Sequence, residues 1–371
     1  MHKKICFVAN QGQHYRFPIF RKMGEELDCE FYLGDKLKTP IKPFDYKSLK
    51  GYQKTLKNIY IGNFYWQSGA VRLFWKHYDS YIFTGEPFCL STWVFLILSL
   101  FSRKQTIAWT HGWYGREGRL KTIIKKAYFS LFTDIWVYGE HGIALMEKEG
   151  ISKQKMRCIA NSLDTYQNLE IRRTLCEQPI YSEHFGNHNP VIIYCGRLQQ
   201  VKKIDMIIDS LKILKGKGTP ANLIIIGKDV DGLKLEDYAA AQGVAEMVWF
   251  YGPCYDNRLL GSFFYNAHVC VSPGNIGLTA IHALSFGCPA ITHDNFAHQM
   301  PEFEAIQPGI TGDFFKEGNI EDLTDKILKW TQKTADQRRK AREAAFAEID
   351  RKWNVDYQMQ VIKETLSAQQ Q

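Results

Sequence analysis

The sequence predicts an α/β protein of two doubly wound, Rossmann-like domains followed by a helical C-terminus. Three observations predict it. The chain has 371 residues, too many for one compact core and suited to two domains of ordinary size. Short β-branched or aromatic runs alternate with longer helical patterns along nearly all of it. Most of these runs are apolar throughout and end in Gly or Thr, as expected of strands buried on both faces of a parallel sheet.

Taken in order, the first half offers strands at KICFVA (4–9), CEFYLG (29–34), NIYIG (58–62), SYIFTG (80–85), QTIAWT (105–110), DIWVYG (134–139) and MRCIA (156–160). The second half offers PVIIYCG (190–196), NLIIIG (222–227), MVWFYG (247–252), HVCVSP (268–273) and PAIT (289–292). Between Tyr166 and Asn189 there is no strand pattern, and the stretch ends in the polar YSEHFGNHN, so it reads as a linker. After Asn319 the pattern is helical, over IEDLTDKILKWTQ, ADQRRKAREAAFAEID and VDYQMQVIKETL. Domains are therefore expected at 1–165 and 190–350, joined by 166–189, with 351–371 a helix packing back toward the first. The apolar run from Pro87 to Phe101 is shorter than the roughly 20 residues of a membrane span and reads as a buried helix.

Composition narrows the function. With 45% hydrophobic and 23% charged residues the chain is globular, which excludes disordered and fibrous classes. Its nine cysteines are scattered without a C-x-x-C, against a disulfide framework or structural zinc and for a reducing compartment. The opening MHKKICFVANQGQ has too short an apolar run for a signal peptide. The expected location is the cytoplasm, with a peripheral position on the inner face of the cytoplasmic membrane as a variant.

The net charge of +8 is unevenly spread. Residues 1–175 hold 27 Lys and Arg against 15 Asp and Glu, whereas the remainder holds 20 against 24. A basic half suggests an anionic partner: nucleic acid, a membrane surface or a phosphorylated substrate. The segment GREGRLKTIIKKAYFSLF, at 115–132, places Leu120, Ile123, Ile124, Ala127 and Leu131 on one helical face with Lys121 and Lys125 beside it. Such a helix can rest on an anionic membrane, although a βα unit needs the same apolar face to pack on its sheet.

Four stretches carry chemistry. In CGRLQQVKKIDMIIDSLKIL (195–214) a strand ends at Gly196, Arg197 follows, and Lys202 comes five residues later. A guanidinium and an ammonium at the carboxyl end of a strand can grip phosphates, or can merely cap ordinary elements. In VSPGNIGLTAIHALSFGCPAIT (271–292) a strand runs into the turn Pro273-Gly274-Asn275-Ile276-Gly277 and then a helix from about Leu278. The amides at that helix start form a natural anion site, and Gly277 permits close approach of a ligand. RCIANSLD (157–164) is the third stretch. In the fourth, AWTHGWYG (108–115), His111 follows a strand of the basic half. There is no G-x-G-x-x-G and no Ser-His-Asp arrangement. HFGNH (184–188) lacks the carboxylate pattern of a zinc site.

In order and spacing these segments resemble the family 4 retaining glycosyltransferases of bacterial polysaccharide type, which have the glycosyltransferase-B fold of two such domains facing across a cleft. DIWVYGEHG and PGITGDFF are similar to the family's segments at those points. The resemblance implies a metal-independent hexosyltransferase that moves a sugar from a nucleoside diphosphate to a glycan or lipid-linked saccharide acceptor. The nucleotide-sugar is then the donor substrate, with no cofactor besides. Carried over by position, Arg197 and Lys202 would bind the diphosphate, with Leu278 and Thr279 adding backbone amides beside Asn275 and Gly277. His111 would contact the transferred sugar, Tyr251 to Tyr255 would lie near the base, and Gly12 would border the acceptor.

The sequence departs from the family at one pair. Two glutamates usually flank this turn, and their positions hold Gly274 and His282. His282 could take over a ribose hydrogen bond; Gly274 cannot replace a carboxylate, for which Glu302 and Glu304 are nearby candidates. The usual glycine pair before them is replaced by His298 and Gln299. The alternatives are a catalytically silent glycosyltransferase-like binding subunit and a nucleotide-sugar epimerase on the same fold. An anionic membrane surface is a further candidate partner. Nucleic acid is not expected, since no reading motif accompanies the basic surplus.

Overall fold

The computed structural model describes residues 4–38 and 42–368. The chain divides into two compact units, Met1–Leu163 with Val355–Gln371, and Asp164–Asn354.

Unit 1 is a seven-stranded parallel sheet in the order β3-β2-β1-β6-β7-β8-β9. Its strands are β1 (Ile5–Ala9), β2 (Cys29–Gly34), β3 (Tyr52–Leu56), β6 (Ser80–Thr84), β7 (Gln105–Thr110), β8 (Asp134–Val137) and β9 (Met156–Cys158). An antiparallel hairpin of β4 (Asn58–Ile61) and β5 (Phe64–Gln67) is inserted after β3. The helices are α1 (Phe17–Glu26), α2 (Leu90–Ser99), α3 (Arg119–Ser130), α4 (Glu140–Lys148) and the C-terminal α13 (Val355–Ser367). The central strands read as continuous apolar runs because both faces are covered: β1 and β7 are buried at every position. Helix α13 is tied into this unit by Gln358, whose amide donates to Ala160 O at 3.0 Å, and by Thr365, whose hydroxyl accepts from the Trp136 indole at 2.9 Å.

Unit 2 is a six-stranded parallel sheet in the order β12-β11-β10-β13-β14-β15. Its strands are β10 (Val191–Cys195), β11 (Asn222–Ile226), β12 (Val248–Gly252), β13 (Val269–Val271), β14 (Ala290–His293) and β15 (Gly312–Phe315). Around it run α5 (Thr165–Arg172), α6 (Ile180–Phe185), α7 (Asp205–Gly216), α8 (Leu235–Ala241), α9 (Asn257–Asn266), α10 (Leu278–Ser285), α11 (Ile320–Thr331) and α12 (Ala335–Arg351). A full capping box starts α12: Thr334 and Gln337 exchange side-chain-to-backbone hydrogen bonds, which fixes where this polar helix begins.

Four expectations need correction. The segment 166–189 is no bare linker: α5 and α6 belong to unit 2, where Ile171 and Tyr181 are core residues and the Tyr181 hydroxyl donates to Phe263 O at 2.7 Å. Units therefore change at Leu163 and Val355, and the last three residues of the expected 351–371 helix lie outside the described residues. NIYIG forms a strand, but in the two-stranded hairpin and not in the seven-stranded sheet, with Ile59 and Ile61 exposed; one edge of that sheet is β3, whose polar YQKTL carries no apolar run to find. The run from Pro87 to Phe101 forms α2 but is only half covered, since Leu90, Val94 and Ile97 lie on its outer side. On α3, whose aliphatic face suited either the sheet or a membrane, Leu120, Ile123 and Ile124 point outward, and Lys125, expected beside them, is buried with Tyr128 and Phe129.

Candidate functional site

In an open parallel sheet, ligands bind beyond the carboxyl ends of the strands where the strand order reverses, because two loops diverge there and leave a crevice. In unit 2 that point lies between β10 and β13. The loop after β10 carries Arg197 and Lys202; the loop after β13 carries Gly274 to Gly277 and leads into α10.

These two loops are locked together. The Lys202 ammonium donates to Asn275 O and Asn275 Oδ1, both at 2.5 Å, and the Gly274 amide donates to Lys202 O at 3.0 Å. A Cβ on Gly274 would lie 2.2 Å from Val201 O and 2.8 Å from Lys202 Cα, so the loops approach this closely only because residue 274 has no side chain. Burial pushes the Lys202 pKa down to about 8; the Arg197 guanidinium pushes the same way and Glu302 opposes them. Arg197 itself is exposed, while Glu302 is buried.

Gly277 caps α10 at φ +54 and ψ −146, a conformation suited to glycine, and no side chain caps the first amides of the helix. The Ala280 amide donates to Gly277 O at 3.0 Å, which leaves the Leu278 and Thr279 amides at the open end of the helix. The Thr279 hydroxyl meanwhile donates to Cys195 O at 3.1 Å, pinning α10 to the end of β10. Sequence reasoning marked Gln299 only as a departure from the family and missed its role. Its Oε1 accepts from the Ile276 amide at 3.0 Å and its Nε2 donates to Thr292 Oγ1 at 2.8 Å and His293 O at 3.1 Å. It braces the glycine turn from the side, and no local pattern announces a bond between residues 23 positions apart.

The other residues singled out on this unit stand differently. His282 packs its ring 5.2 Å from Phe264 and 5.3 Å from Phe286, and burial lowers its pKa to about 4, so it is a neutral packing element. Glu304 shares the short helical turn of Glu302. His298 faces Glu317, 3.2 Å from its carboxylate. Tyr251 packs on Phe263, and Tyr255 is 86% exposed on the loop after β12.

Unit 1 reverses its strand order between β1 and β6, and a cavity of about 720 Å³ opens there. Its polar lining is set by the loops after β1 and β6. Asn10 Nδ2 donates to Glu86 Oε1 at 2.8 Å, and the Tyr65 hydroxyl donates to Glu86 Oε2 at 3.1 Å. Desolvation raises the Glu86 pKa against these bonds and the nearby Arg16 charge. His111, after β7, also lines the cavity, its ring 4.7 Å from Tyr138. Burial, then Arg16 and Lys125, lower its pKa to about 4, so the imidazole is neutral at physiological pH, and its Nδ1 has no hydrogen-bond partner among the described residues.

Gly12 does not border this cavity: Phe44 and Tyr46 cover it, with ring atoms 2.7 and 2.8 Å from where its Cβ would be. Its neighbours Asn10 and Gln13 reach the cavity instead. Glu86 was also missed, although it is the only acid between Asp79 and Glu117 and directly follows a buried strand. That position was the available signal.

The chain superposes on the Anabaena Alr3699/HepE structure solved with UDP, with TM-score 0.74 and 16% identity over 98% of this chain and 100% of that one. It also superposes on the lipopolysaccharide outer core galactosyltransferase WaaB, with TM-score 0.72 and 17% identity over 98% and 99%. This is the glycosyltransferase-B fold. Residues 180–348, which hold the β10/β13 loops of that fold, match the family described as glycosyl transferases group 1. A curated relative is the GDP-mannose-dependent alpha-(1-6)-phosphatidylinositol dimannoside mannosyltransferase of Mycobacterium tuberculosis, 31% identical over 104 residues. That match spans 27% of this chain and about a quarter (26%) of the relative.

Proposed function

We propose that the protein is a retaining, metal-independent glycosyltransferase that takes a sugar from a nucleoside-diphosphate sugar and transfers it to a glycan or lipid-linked saccharide. The observation that carries this reading is the meeting of Arg197, Lys202 and the uncapped amides of α10 at the strand-order reversal of unit 2. Breaking the anomeric C–O bond leaves negative charge on the departing diphosphate. Two cations and a helix N-terminus already in place oppose that charge without reorganising, the role a metal ion takes elsewhere. The likeness to a galactosyltransferase and to a mannosyltransferase supports the same class. The Glu86 cavity of unit 1 then receives the acceptor, and His111 meets the transferred sugar. A cytoplasmic role in cell-surface polysaccharide synthesis completes the proposal; among the described residues no helix is long and apolar enough to cross a membrane.

A thermal-shift screen of nucleotide-sugars tests the donor, since a ligand at 100 times its Kd stabilises by about 2.7 kcal/mol. Transfer from the stabilising donor is then followed with and without a chelator, and the product's anomeric configuration is determined. Inversion would overturn the retaining assignment, and loss of transfer in the chelator would overturn metal independence. Tight nucleotide binding without turnover on any acceptor would favour the silent subunit instead.

Two further outcomes are expected. Lys202 is cationic below about pH 8 and neutral above it, and a nucleoside diphosphate binds the cation. Affinity is therefore full below pH 8 and falls by up to about tenfold per unit as pH rises past it, until the pKa of the bound form is reached. Titration calorimetry between pH 6.5 and 9.5 measures this, and Lys202→Arg should flatten the curve because a guanidinium stays charged throughout. His111→Ala should leave nucleoside-diphosphate binding near wild type while lowering transfer by roughly tenfold or more, the size of one buried hydrogen bond. Equal losses in the two assays would place His111 at the phosphates.

A further inference from the structure

Exposed apolar surface is concentrated on one part of the molecule. Of the 17 large hydrophobic side chains exposed among the described residues, 13 lie between Ile59 and Ile124 in unit 1. On α2, Leu90, Val94 and Ile97 follow i, i+4, i+7 spacing and form one outward stripe, continued past the helix end by Leu100 and Phe101, the last 89% exposed. On α3 the outward residues are Leu120, Ile123 and Ile124, and on the β4–β5 hairpin they are Ile59, Ile61 and Phe64.

These three elements are neighbours. Trp93 of α2 packs 5.0 Å from Tyr128 of α3, and Phe64 of the hairpin packs 6.0 Å from Phe88, just before α2. The Gln67 amide of β5 donates to Ser91 Oγ at 3.1 Å. Phe64, Phe88, Leu120 and Ile124 also belong to the apolar lining of the 720 Å³ cavity, so the hairpin, the loop leading into α2 and α3 border one opening. Soluble monomers rarely leave so many large apolar groups together in water.

The charges beside this face identify its occupant. From Lys57 to Lys126 the chain has ten Lys and Arg against three acids. Two of those acids are turned inward: Glu86 is held by Asn10 and Tyr65, and Glu117 pairs with Lys125 at 2.7 Å, with side chains only 2% and 8% exposed. The third, Asp79, accepts from the Lys4 amide at 2.8 Å. Arg103, Arg119, Lys121 and Lys126 remain exposed. An apolar face bordered by cations and nearly free of exposed carboxylates fits the interface of an anionic bilayer, where apolar groups enter the acyl boundary and cations meet the headgroups.

We propose that unit 1 docks on an anionic lipid bilayer through the outward faces of α2, α3 and the β4–β5 hairpin, with the opening of its cavity bordered by the docked surface. This does not rest on the catalytic reading. The full chain is mixed with vesicles of phosphatidylcholine, or of phosphatidylcholine with phosphatidylglycerol, and floated at low and high salt. Binding is expected on the anionic vesicles at low salt, weaker at high salt and poor on phosphatidylcholine alone. The exposed triple Val94→Ser, Ile97→Ser, Phe101→Ser should cut the bound fraction at least tenfold with an unchanged thermal midpoint. Arg103→Glu with Lys126→Glu should also cut it at least tenfold, since each cation near such a surface is worth roughly fivefold. No binding at low salt, or binding untouched by the serine triple, overturns the proposal. So does a dimer in vesicle-free solution that the serine triple converts to monomer, which would make this face a contact between copies of the chain.

Discussion

Replacing Lys202 with alanine should lower turnover by about 10²–10³, the cost of losing one preorganised donor to a developing anion. The effect should fall on the chemical step more than on donor affinity, because charge on the diphosphate rises as the anomeric bond breaks. Lys202 also has a structural duty, since its ammonium holds both oxygens of Asn275. Alanine removes both roles at once, so the comparison needs Lys202→Arg, which keeps a donor and a charge. Near-normal turnover in the arginine variant, against the full loss in alanine, would assign the effect to charge. Arg197→Ala should show a loss of similar size, with less change in thermal midpoint because its side chain is exposed. Wild-type turnover in both alanine variants would remove the phosphate assignment.

Gly274→Glu introduces a carboxylate at the position where the resembled family usually has one, and it should make the protein worse. The new Cβ would sit 2.2 Å from Val201 O, and backbone on that side cannot swing away as the end of a side chain could. Overpacking of this kind costs about 1–3 kcal/mol. The movement that relieves it would break the hydrogen bond from the Gly274 amide to Lys202 O and carry the ammonium off Asn275. A lower unfolding midpoint and weaker nucleoside-diphosphate binding are both expected, and Gly274→Ala should show the same signs on a smaller scale. A Glu variant as stable as wild type and more active would mean that the two loops can part without loss. The pair Gly274 and Gln299 then reads as one solution: the turn is braced through Gln299 and closed against Lys202, with no room for a side chain at position 274.

Much of this protein is decided locally. A strand buried on both faces must be apolar along its length, and a chain that leaves it for a helix needs a glycine or a small polar residue at the bend. The order of strands and the loops bearing Arg197, Lys202 and the 273–277 turn are therefore visible without any structure. So is Gly277, because a backbone at φ +54 and ψ −146 admits little else.

Tertiary structure decided what a residue meets. Gly12 and Gly274 look like loop glycines open to a ligand, yet one is covered by Phe44 and Tyr46 and the other by the Val201 carbonyl, and only packing could say so. Asn10 and Glu86 lie 76 residues apart and are joined because β1 and β6 are neighbours in the sheet. The clearest case is α3. Its sequence offers an aliphatic face and a face with Lys125, Tyr128 and Phe129, and periodicity favours burying the first. The second is buried, because Trp93 and Trp113 accept its aromatic rings and Glu117 with Gly112 O neutralises and hydrogen-bonds the Lys125 ammonium. A lysine can be placed inside when a carboxylate and a carbonyl are already there, and periodicity carries no information about partners supplied from outside the helix. Local pattern thus determined most of the buried strands and the longer helices; the partners each element met determined which side of it faces water.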